Sequence, residues 1–361
     1  MKKLKPYLLS KGCLWLFLML LCGSCIKEID FQLGNKEELL VIYGVLSDQP
    51  GRHIFTVART NPFERQVDSN PISGATLFVV DSKARKYPFV ELGPGTYLLK
   101  DTLFRANTGE TYYLDVAVPN VGKFRSDLEA MPAPVRMDSV YPGVEQMGYE
   151  RRLQIFADVA IPRDPEGVYL RWEVNRVWRR TSIDFGTLFN DYFHFPRQVV
   201  CYMTEDPEPN IIRLFGTKRQ DAFHLKLQEV AKLEADYKLF ERNAFEVIQY
   251  RTNAKNYDYW YNLDKVSNQG GTIFDPPPAT VRGNIYNVDN PKERILGYFE
   301  VAAVDTAYTS CERAIFSPFS IPDPCLRDFN NQGWASTYYF PPECAFCVNI
   351  KGHSTKVPKF W

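Results

Sequence analysis

The sequence predicts a mostly β protein, with an N-terminal immunoglobulin-like β-sandwich followed by a larger β-domain carrying one short helix. Three observations predict it. Aromatic residues make up 14% of the 361-residue chain, a high share, and with many Val, Ile and Thr they suit pleated sheets better than helix bundles. Short apolar or alternating runs recur between Gly and Pro turns, which is the spacing of sandwich strands. One segment alone combines a cap, helical spacing of apolar residues and a stop.

In chain order, residues 1–24 read as an export leader. Lys2, Lys3, Lys5 and Lys11 are basic, and the apolar run from Cys13 to Leu21 is too short to span a bilayer. Leu21-Cys22-Gly23-Ser24-Cys25 resembles the lipobox of bacterial lipoproteins, although Cys22 departs from the Ala or Ser commoner at its position. The resemblance implies that Cys25 becomes the first mature residue and carries lipid on its thiol. Residues 25–38 read as a tether. Lys27, Glu28 and Asp30 resemble the surface-export signals of Bacteroidota lipoproteins, and equally suit a plain polar linker.

The first sandwich is assigned to residues 39–132. Leu39 to Leu46 is nearly all apolar and ends in a Ser47–Gly51 turn, and His53 to Arg59 alternates. Strands follow at Ser73–Asp81, Gly93–Leu99 and Thr111–Val118. This stretch resembles the small sandwich modules attached to carboxypeptidases and TonB-dependent receptors, which implies a scaffold without its own catalytic centre. Met131-Pro132-Ala133-Pro134 is a stiff boundary, so residues 133–361 form the second β-domain. Its strands are expected at Asp138–Tyr141, Arg152–Ala160, Val168–Val174, Phe245–Tyr250, Val281–Tyr286 and Ile295–Val304. Asn253 is placed to cap a helix over residues 254–267, stopped by Gly270-Gly271. Aromatics at Tyr257, Trp260 and Tyr261 suit packing against a sheet, with sugar stacking as the functional alternative.

Formal charge is zero, and loss of the four leader lysines leaves the remainder mildly acidic, which argues against nucleic acid as a partner. Of eight cysteines, Cys13 and Cys22 leave with the leader and Cys25 takes lipid. Cys201, Cys311, Cys325, Cys344 and Cys347 remain as disulfide candidates for an oxidising compartment. At least one of Cys344 and Cys347 is expected to bridge to Cys201, Cys311 or Cys325, stapling the C-terminal tail and packing Phe360-Trp361 on the second domain; a direct Cys344–Cys347 bond, which strains a short loop, ranks second.

An ordered set of short motifs then emerges: Tyr257-Asp258-Tyr259-Trp260, Gly270 to Ala279, Gly283-Asn284-Ile285, Leu296-Gly297-Tyr298-Phe299, Cys344-x-x-Cys347 and Pro358-x-Phe360-Trp361. This set resembles the Bacteroidota lipoprotein family catalogued as domain of unknown function 4249. The resemblance implies a cell-envelope lipoprotein, often encoded beside TonB-dependent outer-membrane receptors. Here Ala345-Phe346 stands between the paired cysteines where the family usually has x-Asp, and only Gly352 remains of a following Gly-Gly pair.

Catalytic patterns are sparse. Cys344, Cys347 and His353 supply only three metal ligands, where structural zinc takes four, so no metal and no cofactor is expected. His53 and His224 lie in strand-like runs and read as edge or core residues. Asp164 with Glu166, and Glu205, Asp206 and Glu208, sit in Pro-flanked turns and read as solvated faces. The irregular aromatic stretch with Phe185, Phe189, Tyr192, Phe193 and Phe195 is the interaction candidate, because exposed aromatics mark binding surfaces. The expectation is a non-catalytic, lipid-anchored outer-membrane protein that partners a TonB-dependent receptor or another outer-membrane β-barrel. The alternative is an envelope hydrolase acting on glycans or peptides.

Overall fold

The computed structural model describes residues 38–51, 53–61, 69–148, 150–184, 197–219, 222–268, 281–316, 321, 347–350 and 352–361. Among these the chain is mostly β, with one α-helix. The strands of the amino-terminal part are β1 (Leu40–Ser47), β2 (Ile54–Arg59), β3 (Asn70–Pro71), β4 (Thr76–Asp81), β5 (Lys86–Gly93), β6 (Thr96–Leu99), β7 (Thr111–Val118), β8 (Gly122–Ser126) and β9 (Glu129–Ala130). Next come β10 (Met137–Met147), β11 (Glu150–Ala160), β12 (Tyr169–Asp184), β13 (Arg197–Glu205), β14 (Arg213–Gly216), β15 (His224–Glu234) and β16 (Asn243–Thr252). Helix α1 (Ala254–Asn268) precedes β17 (Ile285–Asn287), β18 (Ile295–Leu296), β19 (Phe299–Cys311) and β20 (His353–Ser354). None of the described helices is long and apolar enough to cross a membrane.

Alternation builds the first core. On β7, Tyr112, Leu114, Val116 and Val118 are buried, while the intervening residues face outward. They pack with Leu40 and Ile42 of β1, Phe55 and Val57 of β2, and Leu77 and Val79 of β4. One layer runs β6–β2–β1, the other β4–β7–β8, and β5 pairs with both β4 and β6.

The second core lies between β10–β11–β15 and a sheet made of β12, β13, β14, β16 and part of β19. Leu153, Ile155, Ala157 and Val159 of β11 face Leu170, Trp172, Val174, Phe245 and Val247 across it. Trp172 and Gln249 are buried here too, and the indole N–H donates to Gln249 Oε1 at 3.0 Å.

The chain does not part cleanly at residue 132. Ile285, Ile295, Phe299, Val301 and Ala303 return to complete the first core. Phe299–Ala302 runs parallel to β1, and Ala303–Cys311 continues the same strand antiparallel to β16. One unbroken strand therefore serves both sandwiches. The parallel pairing could arise only through a long crossover.

Candidate functional site

Helix α1 closes over the outer face of β12, and its local start is fixed by one residue. Asn253 Oδ1 accepts from the Asn256 backbone N–H at 2.9 Å, so the amide caps the helix. Helical periodicity then sorts the side chains. Tyr257 is buried against Tyr169, with ring centroids 5.3 Å apart, and Trp260 meets Tyr43 edge-on at 6.0 Å. Lys255, Asp258, Tyr259, Asn262, Lys265 and Val266 fall on a neighbouring face and form one wall of a cleft of about 620 Å³. Val281, Arg282, Gly283 and Asn284 form the facing wall, with Asp127 and Tyr298.

Behind the cleft lies a knot of fixed polar groups. Asn284 Oδ1 accepts from Phe299 N–H at 2.9 Å, which turns its Nδ2 toward Glu129 Oε1 at 2.8 Å. Asn253, oriented by its capping bond, likewise presents Nδ2 to Glu129 Oε2. The Tyr298 hydroxyl donates to Glu129 Oε1 at 3.0 Å. Burial pushes the Glu129 carboxyl above the ordinary range, against the pull of these three donors. The wall is also sterically tight. A Cβ on Gly283 would collide with the Gly297 carbonyl oxygen, and one on Gly297 (φ +94°) with the Ile42 carbonyl oxygen.

A second buried knot sits under α1. Strand alternation turns Arg171 and Glu300 away from their respective cores and toward each other, with Nη2 to Oε2 at 3.2 Å. The guanidinium also pairs with Glu173 and lies between the rings of Tyr250 (4.2 Å) and Trp260 (4.4 Å). Trp260 Nε1 donates to Glu300 Oε2 at 3.3 Å. Burial raises the Glu300 carboxyl, opposed chiefly by Arg171.

The expected site residues distribute as follows. Cys201 and Cys347 form a disulfide across 146 positions, with Cα atoms 6.0 Å apart. They sit with Trp178 and Met203 in a small third cluster. Cys311 does not pair. Its thiol is free and buried in the second core, two strands from Trp178, and burial pushes its pKa up to about 12. Cys25, Cys325, Cys344, and Phe185, Phe189, Tyr192, Phe193 and Phe195 lie outside the described residues. Because the Cys347 sulfur is bonded to Cys201, it is no metal ligand, and His353 Nδ1 instead meets the Ile350 carbonyl at 2.8 Å. No cluster of three or more His, Cys, Asp or Glu able to hold a metal occurs among the described residues. Phe360 stacks on Tyr308 at 4.9 Å and Trp361 meets Tyr202 at 5.0 Å, so the chain end is docked.

Of the five turn carboxylates, Glu166 and Asp206 are exposed as expected, while the other three are part-buried in ion pairs. Asp164 pairs with Arg251 at 2.7 Å, Glu205 with Lys238 at 2.7 Å and Glu208 with Arg213 at 3.0 Å. Sequence reasoning missed Glu129, Arg171 and Glu300. Glu300 alone carried a signal, as a single carboxylate inside the apolar run Tyr298 to Val304.

No curated protein matches the chain. A family model described as "Domain of unknown function (DUF4249)" matches residues 26–307, a span that contains the first sandwich, both cleft walls and the shared strand as far as residue 307. That match covers well over half of the chain, and the chain belongs to the DUF4249 family.

Proposed function

We propose that this protein is a lipid-anchored component of the bacterial outer membrane. It binds a ligand or partner in concert with a TonB-dependent receptor or another outer-membrane β-barrel. The observation that carries the reading is the division of labour at the cleft. The buried ionisable groups Glu129, Arg171 and Glu300 are spent on holding the wall and helix in place. Exposed Lys255, Asp258, Asn262 and Lys265 face the opening, a set suited to recognition. The leader and Cys25 support the anchor, and the family membership agrees with residues 26 onward forming the working part.

One observation favours the hydrolase reading. Glu129 is a burial-raised carboxyl directly behind Asn284 and Tyr298, which line the cleft, and a raised carboxyl can serve as a general acid. Affinity capture from gently solubilised outer membranes separates the two. A stoichiometric β-barrel partner supports the binding role. Monomeric protein that turns over glycan or peptide, and loses that turnover on Glu129→Gln, supports the hydrolase. In the same preparation Cys25→Ala is expected to leave the membrane fraction, and retention after a high-salt wash would place the anchor elsewhere.

A further inference from the structure

We infer that the α1 cleft takes an acidic sugar, a small polyhydroxylated molecule bearing carboxylate or phosphate groups. The inference rests on the reading of this cleft as a binding site and names its ligand class. Lys255 and Lys265 on α1 and Arg282 on the facing wall are exposed, and none forms an ion pair among the described residues. Each also acts within the chain: Lys255 pulls electrostatically on the buried Glu129 carboxyl, Lys265 Nζ lies 4.5 Å from the Tyr261 ring centroid, and Arg282 Nη2 donates to the Pro291 carbonyl at 3.4 Å.

The opposing charge is smaller. Of the two carboxylates at the cleft, Asp258 already has a cation outside it, Arg219 at 3.8 Å. Asp127 is the other. Val281 and Arg282 are also shared with an adjoining recess of about 190 Å³, where Lys292 adds positive charge. Glu293 in that recess is held by the Asn287 amide at 2.6 Å. The cations thus run from one recess into the other, and an anion with more than one charged group matches such a track.

The neutral groups specify the frame of the ligand. Tyr259 is half-buried and rests on Tyr298, with centroids 4.8 Å apart, so its ring is steadied at the cleft wall. Asn262 is exposed beside it and offers both a donor and an acceptor. A ring face with an adjacent amide suits a sugar. The cleft volume falls within the range of about 300–1,000 Å³ typical of small-molecule sites.

The test uses the detergent-solubilised full-length protein and calorimetric titration with a galacturonic acid trimer, its neutral methyl ester and fructose 1,6-bisphosphate. At least one of the two anions is expected to bind, with the neutral ester at least roughly tenfold weaker, and rising salt is expected to weaken binding. The double variant Lys265→Glu, Arg282→Glu is expected to lose binding with an unchanged melting curve, since both side chains are exposed. Equal binding of ester and acid overturns the anionic class while leaving a ligand cleft in place, and undiminished binding by the double variant places the ligand outside the cleft and overturns the inference. Failure of all three sugars overturns it for free ligands. A final arm then offers unlipidated Cys25→Ala to vesicles with and without a phosphorylated glycolipid. Retention only on the phosphorylated vesicles places the anionic sugar on a lipid, and no retention overturns the inference entirely. Barrel capture by the double variant, measured separately, tells failure of this inference from failure of the partner role.

Discussion

At the scale of single residues, orientation matters more than identity. The Asn253 and Asn284 amides each have their oxygen engaged by a backbone N–H, so neither can turn to accept a proton from Glu129. All three groups around that carboxyl donate, and the arrangement reads as a clamp on an acceptor. His53 is a cleaner case for measurement. It is buried, its Nε2 lies 3.2 Å from the Phe104 carbonyl oxygen, and burial lowers its pKa from 6.5. The folded state therefore keeps the ring neutral where the unfolded state takes a proton. Stability is expected to fall as pH drops below about 6.5, with a slope of no more than about 1.4 kcal/mol per pH unit from this group. Urea titrations from pH 7.5 to 5 should show a flatter profile for His53→Gln than for the wild type, and equal slopes would show that His53 is not the source. Strand alternation marked His53 as a core or edge residue in the sequence. The clamp on Glu129 was invisible there, because its donors come from positions 124 to 169 residues away.

At the scale of elements, α1 is where sequence and structure agree most closely. Asn253 caps it as expected, and the helix spans Ala254–Asn268 against an expected 254–267. Asn253→Ala removes the cap and one of the donors to Glu129. The expected cost is about 2 kcal/mol, the sum of a typical cap and one lost buried hydrogen bond, read from the shift of the urea midpoint. A loss below about 0.5 kcal/mol would mean that the helix is held by its aromatic packing alone. Strands with internal alternation, such as β7 and β11, were equally legible. The amphipathic phase of α1 was not: its cleft-facing residues are charged and aromatic together, so composition could not separate a wall from a core face. Nor could the motif glycines be explained until Gly283 and Gly297 proved to lie against each other and against Ile42. Their spacing in the chain is 14 positions, and no local period reports a contact of that kind.

At the scale of the whole molecule, the decisive feature is that β19 belongs to both sandwiches. The two-core organisation was foreseeable from the strand runs on either side of Pro132, but the sharing was not, since parallel pairing over such a distance leaves no periodic trace. One hint existed: Leu39 to Leu46 is nearly continuously apolar, the usual mark of a strand flanked on both sides. Because β19 and the Arg171–Glu300 pair tie the cores together, calorimetry is expected to give one transition, with equal calorimetric and van't Hoff enthalpies. Two resolved transitions would show that the shared strand does not couple them. The same strand imposes an order on biogenesis. Polypeptides leave the ribosome amino end first, so β1 is made long before Ile295 and Phe299–Ala302, the residues that fill its second edge. Until those arrive, the nascent protein carries a bare, greasy strand border, the kind of surface that recruits neighbouring chains. The unfinished molecule is therefore stickier than the finished one, and a premature stop anywhere before residue 295 leaves that border permanently open to aggregation and quality-control proteases.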